Sequence, residues 1–109
     1  MEQEKKFENT ENPEQKLVRL LKGKGVEDPE TMGLLMDWTI KQERLVEQSD
    51  DYPLEQIQFN LKRARLSFEA GCMDEAFDNF DAARIQALNE GRKELFAAIM
   101  WEMKSLSSA

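Results

Sequence analysis

Residues 53–71 read PLEQIQFNLKRARLSFEAG, and their spacing decides the fold class. Leu54, Ile57, Leu61, Ala64 and Phe68 recur at intervals of 3, 4, 3 and 4, the repeat of one face of an α-helix. Phe59 and Leu66 fall on a second face, so this helix packs against neighbours on two sides. Pro53 suits the first turn, where its missing N–H has no intrahelical partner to lose. Gly71 suits the end, where the chain turns through the left-handed conformation. Working outward, the same punctuation recurs. Asn12-Pro13 and Asp28-Pro29 each pair a capping side chain with a proline, so the chain's 3 prolines mark three helix starts. The first of these helices carries Leu17, Val18, Leu20 and Leu21 and stops at Gly23-Lys24-Gly25. The second runs to Gln48 or near it, burying Leu35, Trp38 and Leu45 while exposing Lys41, Glu43, Arg44 and Glu47.

Beyond Gly71, Met73-Asp74-Glu75 opens a fourth helix with carboxylates in its first turn, where the helix dipole favours negative charge. Its expected buried set is Met73, Ala76, Phe77, Phe80, Ala83, Ala87 and Leu88. Asn89-Glu90-Gly91 is expected to break the chain again, the alternative being one long helix through Gly91, and Leu95, Phe96, Ile99, Met103 and Leu106 mark a last helix that frays over residues 105–109. Residues 1–12 are polar and unpatterned and read as a disordered tail, with Phe7 as its one bulky apolar side chain. No segment alternates in the manner of a strand. The expected class is therefore all-α: about five helices in a small helical bundle, with an antiparallel hairpin in the C-terminal half. One domain spans residues 13–106, and the hairpin with its following helix occupies 54–106.

Composition bounds the chemistry. The 109 residues are 40% hydrophobic and 34% charged, enough for one modest core. With no His and a single Cys, the chain has no zinc site, no Ser-His-Asp triad and no disulfide framework. Its net charge of -7 repels polyanions and favours basic partners. No apolar run approaches a membrane span, and the polar N-terminus lacks the apolar core of a secretory signal. The lone Cys72 suits a reducing compartment, so a cytoplasmic location is expected.

From Asn60 to Leu106 the residues Ala64, Gly71, Ala76, Phe80 and Ala83 stand at the spacings of a tetratricopeptide (TPR) hairpin, and the stretch resembles one. The resemblance implies that Ala64 and Ala83 let two helices approach closely, that Gly71 turns the chain, and that Phe80 fills the wedge between helices. Asn89-Glu90-Gly91 followed by Leu95, Ala98 and Leu106 is similar to a connector leading into the first helix of a next unit. Asn60 replaces the family's frequent Trp, Arg63 its Leu and Ser67 its aromatic, and a single full unit is visible. Three-helix trafficking modules of the MIT type share the same hairpin logic.

Candidate sites follow from what the pattern leaves outside the core. Trp101, flanked by Met100, lies off the Leu95–Ile99–Met103 stripe, and the last helix of a short stack has one uncovered face. Trp101, Met100, Phe96 and Phe77 are the expected partner-binding residues, since large rigid aromatics dominate interface energetics. Asp74, Asp78 and Asp81 add an acidic stripe that reads first as a solvated face and second as a steering surface for a basic peptide. Lys62, Arg63 and Arg65 are expected to pair with that stripe across the hairpin. Cys72, at the turn, reads as a small packing residue. No arrangement of general base and nucleophile is visible, and no catalytic residue, cofactor or metal is expected. The reading is a non-enzymatic interaction protein that binds a partner peptide or helix, or a second copy, through its C-terminal helices. The alternative is nucleic-acid association through the basic Gly-Lys-Gly turn over residues 16–25, using Lys16, Arg19, Lys22 and Lys24.

Overall fold

The computed structural model describes residues 11–108; residues 1–10 of the expected tail, Phe7 among them, lie outside that range. Five helices follow in order: α1 (Pro13–Gly23), α2 (Pro29–Glu47), α3 (Tyr52–Glu69), α4 (Met73–Asn89) and α5 (Lys93–Ser107). No strand occurs among the described residues. The all-α bundle expected from the spacing is the observed class.

The capping chemistry works as the sequence indicates. Asn12 Oδ1 accepts from the Gln15 N–H at 2.8 Å, and Gln15 Oε1 accepts from the Asn12 N–H at 3.1 Å, closing a capping box at α1. Glu11 pairs with Arg19 at 3.0 Å, so the last two residues of the expected tail are part of the ordered start. Asp28 caps α2 through the Thr31 N–H (3.0 Å) and also accepts from the Thr31 hydroxyl (3.1 Å). The Thr31 amide, closest to the carboxylate, holds the Asp28 carboxyl below its ordinary range. A depressed folded value stabilises above the unfolded value and is lost as pH falls through the folded one. Urea midpoints measured from pH 7 downward are therefore expected to fall more steeply in the native chain than in Asp28→Asn, which keeps the cap without the charge.

Gly71 and Gly91 build the same turn twice. Both adopt positive φ, +85° and +70°. Behind each, the next residue's N–H reaches back to the carbonyl five residues earlier: Cys72 to Ser67 at 2.8 Å and Arg92 to Ala87 at 2.9 Å. A Cβ at either glycine meets nothing within 4 Å, so the cost of replacing it is backbone strain alone. Gly91→Ala is expected to lose about 1–2 kcal/mol, read as a lowered urea midpoint with an unchanged slope. Gly91 also confirms the break between α4 and α5 in place of one long helix.

Helix α3 lies in the middle. Ile57, Leu61 and Ala64 on one side join Phe80, Ala83, Ala87 and Ile99 in a first cluster with α4 and α5. Phe59 and Leu66 on the other join Leu17, Trp38 and Val46 in a second cluster with α1 and α2. The two apolar faces of α3 thus serve two separate cores. Phe68 meets Phe77 beside the turn (centroids 6.4 Å apart), while Asn60 donates to Gln86 (3.0 Å) two helical turns away, so α3 and α4 run antiparallel. Arg92 at the start of α5 bonds Asp51, the cap of α3, at 2.8 Å; further along, Arg65 forms a two-pronged pair with Glu102 at 2.9 Å. Helix α5 therefore runs parallel to α3, with α4 antiparallel to both. Laying helices side by side elongates the molecule: its radius of gyration is 15.7 Å, against about 13 Å for a compact chain of this length.

Three expectations need correction. Leu45, Met73 and Leu88 are exposed. In α4 the buried row is Ala76, Phe80, Ala83 and Ala87, and Leu88, one residue past it, swings to the edge. In α2 the row is Thr31, Trp38, Gln42 and Val46; Leu45 precedes its last member, and Leu35 is half-buried beside it. The cationic cluster does not meet the acidic stripe. Lys62 donates to Gln42 (3.0 Å), Arg63 donates to Asn60 (2.8 Å) and lies over the Phe59 ring (4.7 Å), and Arg65 takes Glu102. The outer side of α4 is simply too far round from these residues' side of α3. Finally, α5 continues through Ser107, where the Ser107 and Ser108 hydroxyls donate to the Lys104 carbonyl.

Candidate functional site

The groove between α4 and α5 brings together residues singled out from the sequence with others that were not. Phe77, Asp81 and Arg84 come from α4; Met100, Met103, Lys104 and Ser107 come from α5; the space between them measures about 530 Å³. Its floor is apolar. Phe77 and Met103 pack partly against the first core cluster, and Met100 beside them is 42% exposed. Asp81 and Arg84 form an ion pair one helical turn apart that edges the groove on the α4 side. Lys104 edges it on the α5 side.

The remaining expected residues lie around this groove. Asp74 and Asp78 are exposed on the outer side of α4 and make no ion pair among the described residues. Phe96 is half-buried against the first cluster and does not line the groove. Trp101 is 70% exposed. It follows the buried Ile99 by two residues, about 200° round the helix, so it stands on the outer face of α5. The groove and the Trp101 face are thus two surfaces of one helix, where the sequence alone suggested one patch. Spacing identified Phe77 and Met100. Arg84, Met103 and Lys104 were missed because a groove wall depends on which way the neighbouring helix runs.

The alternative basic segment is half neutralised. Arg19 pairs with Glu11, and Lys24 pairs with Glu30 at 3.1 Å. Lys16 and Lys22 make no ion pair among the described residues. Among those residues no group of three or more His, Cys, Asp or Glu side chains is gathered to hold a metal ion, and no helix is long and apolar enough to cross a membrane. Cys72 occupies the cap position of α4 without a side-chain hydrogen bond. Comparison with protein-family models, with curated proteins and with solved structures finds no match, and the groove has to be read from its own chemistry.

Proposed function

We propose that this chain is a non-enzymatic protein-interaction module of the cytoplasm whose α4/α5 groove receives an apolar helix or peptide of a partner. The observation that carries the reading is the groove's make-up: an aromatic ring and two flexible Met side chains between charged rims, lined by α4 and α5 and by no other described helix. Met adapts to varied apolar shapes, and burying such a floor drives association. Asp74 and Asp78 steer a basic partner towards it, and Trp101 offers a second anchor on the outer face. We further read α3, α4 and α5 as a TPR-like unit. The antiparallel α3/α4 pair, the parallel α3 and α5, the wholly buried Ala64 and Ala83 and the turn at Gly71 support that reading.

The test is affinity capture at physiological salt from cells of the source organism, with and without nuclease, using the native chain, Met100→Asp and Trp101→Ala. A protein retained after nuclease, and lost with Met100→Asp, is the expected result. Loss only with Trp101→Ala moves the site to the outer face. Capture of nucleic acid, with every co-purifying protein released by nuclease, overturns the reading in favour of residues 16–25.

A further inference from the structure

A second uncovered apolar feature lies on α2. Thr31, Trp38, Gln42 and Val46 face the core, while Met32, Met36 and Ile40 recur every four residues along the exposed side, 44%, 57% and 43% exposed. Single exposed apolar side chains are ordinary; three in line along one helix face are not. This stripe and the open α4/α5 groove lie on opposite sides of α3, since α3 meets α2 and α4 through opposite faces. They cannot meet within one molecule.

We infer that the occupant of the groove is helix α2 of a second copy of this chain, seated antiparallel to α4, an inference that rests on reading the groove as a docking site. Three observations select this occupant. Lengths match: α2 has 19 residues and α4 has 17, about 28 and 26 Å. Shapes match, a row of Met and Ile side chains against a floor of Phe77, Met100 and Met103. Charges match as well. In this orientation Lys41 and Arg44, near the C-terminal end of α2, lie along the N-terminal half of α4 with Asp74 and Asp78. Glu43 and Glu47 lie towards Lys104 on α5. None of these seven side chains makes an ion pair within the described part of its own chain. Each copy presents both a stripe and a groove, so the contact is head-to-tail and propagates. A net charge of -7 per copy opposes it at long range and keeps the association concentration-dependent.

The experiment uses the purified full-length chain alone, its mass measured by sedimentation over a concentration series at physiological salt. Met36→Asp disables the stripe and Met100→Asp the groove; both positions are exposed, and circular dichroism checks that helix content is kept. The native chain is expected to grow beyond a dimer as concentration rises, and each variant to stay at 12.7 kDa. An equimolar mixture of the two variants retains one intact stripe and one intact groove. It is expected to give a species of 25.4 kDa, twice 12.7 kDa, and nothing larger. A native chain that stays monomeric throughout overturns the inference, as does a single variant that still dimerises, because a face that pairs with itself needs no groove. A monomeric native chain that nonetheless captures a protein lost with Met100→Asp leaves the groove a docking site and removes only the second copy from it.

Discussion

Phe80→Ala is expected to lose about 3–5 kcal/mol of stability, out of roughly 5–15 kcal/mol for a domain of this size. Phe80 is the largest of the fully buried side chains, at 0% exposure. It sits among Ile57, Leu61, Ala64, Ala83, Ala87 and Ile99, which come from three different helices, and its ring lies 6.0 Å from that of Phe77. Truncation removes apolar area and leaves a void that three helix backbones cannot jointly close. Three of its neighbours, Ala64, Ala83 and Ala87, have no side-chain atoms to swing into the space. The measurement is the urea midpoint with the slope held as a check on two-state behaviour. A loss below 1 kcal/mol would mean that α4 and α5 close over the gap, which their packing against Ala64 and Ala83 argues against.

Trp38→Ala is expected to cost a similar 3–5 kcal/mol, but on the other side of α3. Trp38 is buried in the second cluster with Leu17, Val46, Phe59 and Leu66, with its ring 6.2 Å from Phe59. Its indole Nε1 donates to Glu14 on α1 at 2.8 Å. Helix α1 has 11 residues, too few to persist without tertiary contacts, and its buried side chains are Leu17 and Leu20. Removing Trp38 takes away both the apolar wall and the polar tie. Hydrogen exchange is expected to show lost protection concentrated in α1 and α2, with α4 retaining near-native protection. Phe80→Ala should reverse that ranking. Equal loss of protection everywhere in both variants would show that the two clusters open together, and that α3 transmits one cooperative transition instead of separating two cores.

Helix starts and stops, the end of α5 apart, were legible because their causes are local. Asn12, Asp28 and Asp51 bond amides three residues away, and Gly71 and Gly91 supply a backbone conformation that the adjoining carbonyls demand. The two-faced character of α3 was legible from Ile57, Leu61 and Ala64 against Phe59 and Leu66. Leu45 and Leu88 were misassigned because hydrophobicity marks what can be buried, while exposure depends on where the neighbouring helix ends. The ion pairs were illegible for a related reason. Arg65 to Glu102 spans 37 residues and Arg92 to Asp51 spans 41, so each depends on α5 lying parallel to α3, which no local pattern encodes. The same parallel placement creates the groove. Phe77 was legible as an apolar residue of the α4 stripe and Met100 as one beside the α5 stripe, but Trp101, adjacent in sequence to Met100, stands on another face.

The most direct measurement is photo-crosslinking from single positions of the native chain in cells, with the acceptor identified by mass spectrometry. A crosslinker at position 100 probes the groove, one at 101 the outer face of α5, and one at 22 the basic turn. The expected result is a discrete protein adduct from position 100, stronger than from 101 and absent from 22, whether the acceptor is another protein or a second copy of the chain. Adducts to nucleic acid from position 22, with none to protein from position 100, would contradict the assignment of the groove as the working surface of this molecule.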